Sequence, residues 1–510
     1  MFPARRPIPC ATISGEGASS SGRVLLVDLN NEAPYPTLAI GYLTTPLIEA
    51  GYEVTVFSPL ARGMTPLRRD VEEGVLDYLA MRAQFADGPM MAWANELLFK
   101  LYHGISFRAT RELKRSFKNL LAETRFDAIL VSSYLQYHRL LVEMARQAKT
   151  SGIPLLLGGP YFNQKAVTEQ WIDMEGVTAI FGGEADFVLS ELVDDLINRR
   201  DLKRHPGIFQ REVTVLGQAK DPVSLPDSLP IPNFDHFPWE NHPHRILPIM
   251  TGRGCSWGHC LFCSDVTTAS TRTFRTRSLD AVLNELRVQS ENYWCKNFIF
   301  VDNKLNSDLR IWYGIIRHFQ EVVPGGRWVA IVHVDGRGDN GLDADTLSAA
   351  HESGLRRISF GLESGSQHLN RLMRKGTSIQ RMSEFVKNAC DAGISVRTTC
   401  MLGYPGETAA DVEATIALLE EHYRYIDRVK LSKFKAIPGT AIQNRLDTQP
   451  GKYPSVTKLE WDFKLARAKL RHRPPHRKDY RRSMARLLKI VHRINQKKLA
   501  DDAQQFNGLM

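Results

Sequence analysis

The first 220 residues alternate short apolar runs with stretches of helical periodicity. Continuous or alternating apolar runs of strand length are separated by segments in which apolar residues recur every three or four positions. Glycines at the ends of several runs mark turns. This alternation is typical of a doubly wound, Rossmann-like α/β sheet that binds ligands beyond the carboxyl ends of its strands. The predicted strands are Val24–Leu29, Glu53–Phe57, Ala128–Ser132, Leu155–Leu157 and Thr178–Phe181.

A second series of strands and helices begins at Arg245. Five helices are expected between its strands: Leu279–Ser290, Leu309–Val322, Ala344–Ser353, Ile379–Ala392 and Ala409–His422. In a parallel barrel, functional groups lie at the carboxyl ends of the strands. The six predicted strands are Ile246–Met250, Phe298–Val301, Trp328–Val332, Ile358–Gly361, Val396–Met401 and Val429–Phe434.

Changes in pattern and composition divide the chain into five segments. Residues 1–22 are predicted to be a disordered leader, and 23–220 the first α/β domain, with a helical insert at 65–124. The Pro-rich stretch 221–244 has no regular periodicity and is interpreted as a linker with aromatic interface anchors. Residues 245–445 form the second strand–helix domain, and 446–510 are expected to be a basic helical region.

The net charge of +10 is concentrated near the C-terminus. Residues 458–498 hold fifteen Lys or Arg and three acidic residues. Such a segment could bind nucleic acid or an anionic membrane. Apolar residues recur at helical spacing in the same stretch, so a basic amphipathic helix packed on the protein is the favoured interpretation. The helical apolar positions are Met484, Leu487, Leu488, Val491 and Ile494.

The bulk composition is that of a globular protein, with 43% hydrophobic and 24% charged residues. No apolar run approaches the length of about eighteen residues that a membrane-spanning helix needs. Seven cysteines, three of them clustered, do not fit a disulfide framework. A reducing, cytoplasmic location is therefore expected.

The three clustered cysteines, Cys255, Cys260 and Cys263, form a C-x4-C-x2-C pattern directly after a predicted strand. Thiolates select zinc or iron–sulfur clusters. A closed structural zinc site needs four ligands; Cys295 is interpreted as a core residue, and His259 is adjacent to Cys260. Three thiolates without a fourth partner suit a [4Fe–4S] cluster with one open iron, and a zinc knuckle remains the alternative.

With this motif the sequence resembles the radical S-adenosylmethionine (SAM) enzymes. Their usual spacing is C-x3-C-x2-C, so the first gap here has one extra residue. Phe262 and Ser264 also match the family pattern and are expected near SAM. The resemblance implies a partial (β/α)6 barrel, SAM on the open iron, and cleavage of SAM to a 5′-deoxyadenosyl radical.

Motifs at later strand ends extend the resemblance. In GLESGSQ, Glu363 is the candidate for the SAM ribose, with Ser364 beside it, although Glu363 could instead complete a helix cap. In GYPGET, the glycines permit close approach of SAM or simply form a tight turn. Asp302 is a weak catalytic candidate that could equally fix its loop, and Arg275 and Arg277 could meet a cofactor or lie on the surface. The candidates in GYPGET are Gly403, Pro405 and Gly406.

The first domain resembles the cobalamin-binding domain that precedes the barrel in one class of radical SAM enzymes. Its strand-end segments match, but the Asp-x-His-x-x-Gly motif is missing, so the resemblance implies cobalamin without a protein imidazole ligand. A degenerate flavodoxin-like fold without cofactor is the alternative. The candidate cobalamin residues are Leu38, Gly41, Tyr42, Ser132, Ser133, Gly158, Gly159, Pro160, Gly182, Gly183 and Glu184.

Together these resemblances imply a cobalamin-dependent radical SAM C-methyltransferase. One SAM would donate a methyl group through methylcobalamin, and a second would supply the radical. A cyclase, oxidase or rearrangement enzyme with the same cofactors is the first alternative, and a nucleic-acid or lipid binder acting through the basic tail is the second. The expected partners are a small-molecule, lipid or peptide substrate and an external flavodoxin-like or ferredoxin-like electron donor, with no nucleic acid.

Overall fold

The structure is a computed structural model of the 510-residue chain. It describes residues 22–29, 35–62, 64, 72–86, 110–211, 227–241, 245–264 and 274–506. The predicted leader and parts of the insert and linker lie outside the described residues. Within the described ranges, no helix is long and apolar enough to cross a membrane.

The N-terminal sheet has six strands in the order β2-β1-β3-β4-β5-β6. All neighbouring strands pair in parallel except β5 and β6, which are antiparallel. The strands consist almost entirely of buried residues because helices cover both faces. The strands are β1 (Arg23–Asp28), β2 (Glu53–Phe57), β3 (Ala128–Ser132), β4 (Leu155–Gly158), β5 (Ala179–Phe181) and β6 (Ile208–Phe209).

Among the described residues, six helices belong to this part of the chain, and two of them lie in the insert between β2 and β3. Five pack beside the sheet, whereas α2 packs on the core of the second domain. On α4, the apolar residues share one face and pack on the sheet, so the helix periodicity translates directly into burial. The predicted α/β class is confirmed, whereas the short antiparallel β6 was not predicted. The helices are α1 (Leu38–Glu49), α2 (Val75–Phe85), α3 (110–123), α4 (His138–Thr150), α5 (Lys165–Ile172) and α6 (Leu189–Ile197).

The second domain contains a six-stranded, all-parallel sheet in the order β14-β13-β12-β11-β10-β7. Consecutive strands are neighbours, with β7 and β14 at the two edges, as in a partial barrel. A two-stranded ribbon of β8 and β9 flanks the end of β7. The strands are β7 (Leu247–Ile249), β8 (Gly252–Arg253), β9 (Arg275–Thr276), β10 (Asn297–Phe300), β11 (Arg327–Val332), β12 (Leu355–Glu363), β13 (Ser395–Leu402) and β14 (Arg428–Lys433).

Helices between these strands bury one apolar face each against the sheet. Asp308 and Asp343 cap two of them through side-chain bonds to backbone N–H groups, which fixes where those helices begin. Trp312, Trp328 and Phe319 pack within the largest core cluster. The helices are α7 (Leu279–Tyr293), α8 (Leu309–Val322), α9 (Ala344–Glu352), α10 (Gln367–Leu372), α11 (Ile379–Asp391) and α12 (Ala409–Glu421).

The C-terminal region differs from the predicted all-helical tail. After α13 (Ala441–Thr448), an antiparallel hairpin of β15 (Val456–Asp462) and β16 (Arg467–His472) precedes α14 (Arg477–Asn495) and α15 (Asp501–Gln504). Six of the seven β15 residues are exposed or partly exposed in succession, so no buried face produced the alternation that marks a strand. The amphipathic helix itself is confirmed, because α14 buries the predicted apolar face on the barrel core.

The linker and a group of charged side chains hold the two domains together. Phe234 is buried and its backbone N–H bonds to the hydroxyl of Tyr293 on α7. On the other side, the Thr45 hydroxyl of α1 bonds to the linker carbonyl of Ile231 at 2.8 Å. The predicted role of Phe234 as an interface anchor is confirmed.

The charged group, which we call the interdomain ion-pair cluster, consists of Glu184, Asp186, Arg253 and Arg275. Arg253 pairs with both oxygens of Asp186 at 2.7 and 2.9 Å and with Glu184 at 2.8 Å. Arg275 pairs with Glu184 at 2.6 Å. Burial would lower the pKa of Arg253, but the two carboxylates raise it above its usual value. The cysteine loop is therefore fastened to the segment that follows β5.

We expect Arg253→Gln to destabilise the protein by about 3 kcal/mol, because it leaves two partly buried carboxylates without their shared cation. The control is Arg23→Gln, which removes an ion pair whose side chains are 40% and 55% exposed and should cost less than about 1 kcal/mol. Urea unfolding followed by circular dichroism measures both. Equal losses in the two variants would contradict the role given to the cluster.

Candidate functional site

The three cysteines lie in the loop that begins after β8, at the carboxyl end of β7. Cys255 is buried, and Cys260 and Cys263 are partly buried. Gly254 and Gly258 have φ of 89° and 57°, a left-handed conformation that favours glycine. His259, beside Cys260, is exposed. The loop thus turns back on itself through its glycines and keeps the thiols at the mouth of the barrel.

Asp302 fixes the start of this loop. Its carboxylate accepts hydrogen bonds from the backbone N–H groups of Thr251 and Gly252, at 3.0 and 2.8 Å, and from the Thr251 hydroxyl at 2.8 Å. Burial raises the pKa of Asp302 to about 6, although these bonds lower it. This geometry favours a role for Asp302 in fixing the loop over a catalytic role.

Trp257 occupies the first gap of the cysteine motif and docks against the segment after α10. Its indole N–H bonds to the carbonyl of Arg374 at 2.9 Å, and its ring lies against Gly376, where a Cβ would come within 2.3 Å. The guanidinium of Arg337 stacks 4.4 Å from the ring centre. The extra-long gap is therefore anchored by one aromatic side chain.

Glu363, the predicted ribose ligand, lies at a bulge at the end of β12. Its φ of 59° is unusual for a residue with a side chain. Lys375 Nζ bonds to its carboxylate at 3.2 Å, and the two side chains cross over Gly361. A Cβ on Gly361 would approach the Glu363 oxygen to 2.3 Å, so only glycine leaves room for this pair.

Lys375 also connects Glu363 with the cysteines. Its side chain is buried, which alone would lower its pKa, but the charges of Glu363, Cys260 and Cys263 raise it. Burial raises the pKa of the Cys260 thiol, and Lys375 opposes that shift. A buried cation beside two of the three thiols suits a site that must hold negatively charged sulfur ligands.

This donor set fits a [4Fe–4S] cluster better than a single ion. Among the described residues, no three His, Cys, Asp or Glu side chains converge as one metal ion would require. In a [4Fe–4S] cluster, each thiolate binds a different iron atom, so the ligands are spread around the cluster and do not converge on one ion. Cys295, by contrast, is buried in the core, where burial raises its pKa to about 12, as predicted for a structural residue.

The GYPGET turn closes β13 and is fixed by a buried carboxylate. Glu407 accepts bonds from the Gly403 N–H at 2.6 Å and from the Tyr480 hydroxyl of α14 at 2.5 Å. Burial raises the pKa of Glu407 to about 8. Gly403 and Gly406 have φ of 84° and 94°, so the turn conformation requires glycine at both positions.

Ser364, predicted near SAM, is engaged inside the fold. Its hydroxyl lies 3.1 Å from that of Thr415 on α12 and accepts from the Ser366 N–H at 3.1 Å. Phe262 packs edge-on against Tyr404 of the GYPGET turn. Phe262 therefore joins the cysteine loop to that turn, whereas the Ser364 side chain supports the helix behind it.

At the N-terminal sheet, several predicted cobalamin glycines are explained by packing. A Cβ on Gly159 or Gly182 would lie 2.2 Å from a backbone oxygen, of Ser133 and Phe162 respectively. Gly41 faces the linker, where a Cβ would meet the Phe234 ring at 2.4 Å. These contacts account for the three glycines without a ligand.

The other predicted residues of this edge have different surroundings. Glu184 belongs to the interdomain ion-pair cluster. Leu38 and Tyr42 of α1 pack against Met250 at the end of β7, and the buried Tyr42 hydroxyl has no hydrogen-bond partner among the described residues. The remaining candidates follow β3, β4 and β5 at the same sheet edge: Ser132, Ser133, Gly158, Pro160 and Gly183.

Arg275 and Arg277 are not surface residues. Both are buried, Arg275 with Glu184 and Arg277 with Glu285 of α7 at 2.5 Å. Of the two locations considered for them, the surface one is wrong, because each has a carboxylate partner in the interior. Neither is placed against the Glu363–Lys375 pair.

Sequence reasoning missed three residues of the site: Trp257, Lys375 and His333. Lys375 lies in the segment Leu372–Thr377 (LMRKGT), where no local pattern distinguishes the lysine as a site residue. Trp257 lies in the unusual gap itself, so the extra residue was its signal. His333 directly follows β11. Its place in the site becomes visible only in the structure, where the ends of neighbouring strands lie side by side.

Comparison with known proteins agrees with this geometry. Residues 249–419 match the sequence model described as the Radical SAM superfamily. These residues form a radical SAM domain. The matched range begins at the end of β7 and contains the cysteine loop and the strand ends through β13.

Curated relatives cover part of the chain. An uncharacterized methyltransferase of Pyrococcus horikoshii is 27% identical over 52% of this chain and 57% of its own length. The cytidylyl-2-hydroxyethylphosphonate methyltransferase of Streptomyces wedmorensis is 27% identical over 38% of this chain and 39% of its own. The bacteriochlorophyllide d C-12(1)-methyltransferase of Chlorobaculum tepidum is 23% identical over 66% and 68%. The chain thus spans about half the length of the first two.

Two solved structures share the fold over most of the chain. TsrM of Kitasatospora setae, a radical SAM methyltransferase, superposes with a TM-score of 0.64 at 16% identity, covering 92% of this chain and 89% of its own. OxsB, a cobalamin-dependent radical SAM enzyme, has a TM-score of 0.66 at 15% identity, covering 91% and 66%. The arrangement of a Rossmann-like domain before a radical SAM domain is therefore a known architecture.

We expect Gly361→Ala to weaken SAM binding about tenfold while leaving the melting temperature nearly unchanged. The added methyl group displaces two flexible side-chain ends, Glu363 and Lys375, rather than backbone. Equilibrium dialysis with labelled SAM measures the affinity. Gly338→Ala is the control, because a Cβ there meets nothing within 4 Å; equal affinities in the two variants would contradict the assignment.

Glu407 should make stability depend on pH. Its raised pKa means that the folded protein keeps a proton that the unfolded chain releases above about 4.5. This contribution to stability is therefore complete below pH 4.5 and is lost as the pH rises towards 8, at up to about 1.4 kcal/mol per pH unit. Glu407→Gln retains the acceptor oxygen and should flatten this part of the curve. Parallel unfolding curves against pH for the two proteins would refute the assignment.

Proposed function

We propose that this protein is a cobalamin-dependent radical SAM methyltransferase that acts on carbon. The observation that carries the proposal is the attachment of the cysteine loop to the N-terminal sheet. Arg253, two residues before Cys255, is paired with Glu184 and Asp186, which follow β5 at the carboxyl edge of that sheet. Parallel sheets bind ligands at that edge, so a ligand held there would lie beside the cysteines.

Cys255, Cys260 and Cys263 would hold the [4Fe–4S] cluster. When bound, the cluster supplies the electron that cleaves SAM, and cobalamin supplies the carrier for the methyl group. The protein's own residues position the cysteine loop and enclose the site. Asp302 fixes the loop's first residues, Trp257 anchors its first gap, and Lys375 offsets the negative charge of the thiolates.

SAM itself would be oriented by the ends of β12 and β13. Glu363 offers a carboxylate that can accept both ribose hydroxyls, and the bond from Lys375 Nζ holds that carboxylate in place. The turn at Gly403, Pro405 and Gly406 presents backbone that its glycines leave open. Ser364 is buried and bonded on both its hydroxyl and its backbone, so it supports this strand end rather than offering SAM a contact.

Cobalamin would rest on the edge formed by Ser132, Ser133, Gly158, Pro160 and Gly183. Pro160 and Gly183 are exposed, and a Cβ on Gly158 would meet only the Phe181 carbonyl, at 3.7 Å. The backbone at the end of β4 is therefore open to close approach by a ligand. The residues at the end of β1, Asp28-Leu29-Asn30, include no histidine, so we expect no imidazole ligand from the protein at that strand end.

Methyl transfer is preferred to cyclisation or oxidation because the relatives named above are methyltransferases. A flavodoxin-like or ferredoxin-like donor in the cytoplasm would reduce the cluster. The substrate would enter at the common face of the two domains, since the barrel mouth opens towards the N-terminal sheet edge. A small molecule, lipid or peptide could be accommodated there.

Anaerobic reconstitution with iron, sulfide and a corrinoid, followed by reductant and methyl-labelled SAM, tests the proposal. We expect bound corrinoid, about four irons per chain, and 5′-deoxyadenosine. Cys260→Ser should lose the cluster absorbance and the 5′-deoxyadenosine, whereas Cys390→Ser, on α11 outside the site, should retain both. Reconstituted protein that binds no corrinoid would overturn the cobalamin assignment, and cluster retention in Cys260→Ser would overturn the ligand assignment.

A further inference from the structure

A buried histidine at the barrel mouth has an unused ring nitrogen. His333 directly follows β11 and is 8% exposed, and its Nε2 has no hydrogen-bond partner among the described residues. A buried polar atom without a partner costs free energy unless something binds it. The same mouth contains the residues after β10, the strand beside β11, and the cysteine loop after β7, the next strand along the sheet.

The position of His333 is fixed on two sides. Asn306 accepts from its backbone N–H and donates to its carbonyl, both at 2.9 Å. Its ring stacks on that of Trp257, with the ring centres 6.3 Å apart and 28° between their planes. Since backbone and ring are both held, Nε2 has a defined direction before any ligand arrives.

The mouth also contains a cation without a carboxylate partner. Lys304 lies after β10, two residues before Asn306, whose side chain bonds the backbone of His333, so Lys304 and His333 belong to neighbouring strand ends. Its charge also helps to lower the pKa of His333. In the described part of the chain, no carboxylate comes within 4.0 Å of Lys304 Nζ. The neighbouring acids are already paired: Asp335 with Arg337 at 2.8 Å and Glu363 with Lys375 at 3.2 Å.

The imidazole is neutral under ordinary conditions. Burial, together with the charges of Lys304 and Lys375, lowers the pKa of His333 to about 2. A neutral imidazole can still donate one hydrogen bond from Nε2. A donor beside an unpaired ammonium group is an arrangement that binds anions.

We propose that Lys304 Nζ and His333 Nε2 together bind an anionic group of the substrate, a carboxylate or a phosphate, at the mouth of the barrel. The proposal rests on the proposed function, because it takes this mouth to be where substrate meets SAM. It narrows the substrate class to anionic molecules. His333 and Lys304 are then specificity-determining residues.

Inorganic phosphate and acetate, tested separately on the reconstituted full-length protein by calorimetry, are the probes. We expect at least one to bind, and both His333→Phe and Lys304→Met to weaken it about tenfold. Phenylalanine preserves the stacking on Trp257, and methionine preserves the apolar stem of the lysine. Lys304→Arg should remain within about threefold of the wild type, because it restores a cation.

The control is Lys296→Met, which removes an exposed lysine at the opposite end of β10. It should leave anion affinity unchanged. Failure of both probes to bind wild-type protein, or equal losses in Lys296→Met and Lys304→Met, would overturn the proposal. An unchanged melting temperature in His333→Phe would confirm that lost affinity reflects the ring nitrogen rather than unfolding.

One further arm identifies the source of the anion. SAM also carries a carboxylate, so phosphate binding is repeated with saturating SAM. Unchanged phosphate affinity supports a substrate site, whereas competition would assign the pair to SAM and overturn the inference. Because no turnover is measured, a failure of this test is distinct from an absence of corrinoid or 5′-deoxyadenosine, which would count against the proposed function.

Discussion

The interdomain ion-pair cluster is the constraint on which the site depends. Arg253 and Arg275 come from the ribbon that flanks the cysteine loop, and both reach across to the segment after β5. Partly buried charges of this kind are costly unless they are paired, so a packed interface in which the domains were shifted would leave them unmatched, and the pairs favour one arrangement of the two domains. The thiols are thereby held at a fixed distance from the carboxyl edge of the N-terminal sheet. A weakly packed interface would leave that distance free.

Within the barrel, contacts between side chains likewise connect several strand ends. Gly361 leaves space for the Glu363–Lys375 pair, and Lys375 then lies beside Cys260 and Cys263. Glu407 joins the turn after β13 to α14 through Tyr480. Helix α14 belongs to the basic segment for which nucleic-acid or membrane binding was considered. It packs behind this turn and supports it. Its apolar face is occupied by the barrel core.

The sequence predicted the fold well where one strong local signal was present. Leu309–Val322 was predicted to the residue because Asp308 caps its start and its apolar face is continuous. The hairpin of β15 and β16 was missed because its exposed, basic residues hide the strand pattern. The cysteines were found by spacing alone. Arg253 and Asp186 are 67 residues apart, and no local pattern connects them; the location of Arg275 stayed open for the same reason, since its partner Glu184 is 91 residues away.

The extra residue in the cysteine motif can now be understood physically. A longer gap would ordinarily add conformational freedom to a loop that has to present its thiols in one arrangement. Here Trp257 removes that freedom, since its N–H is bonded to Arg374 and its ring is enclosed by Gly376, Arg337 and His333. The segment that carries Lys375 is therefore attached to the gap on one side and to Glu363 on the other. Lengthening the loop couples the cysteines to the residues that would bind SAM, which a shorter gap without the tryptophan could not do.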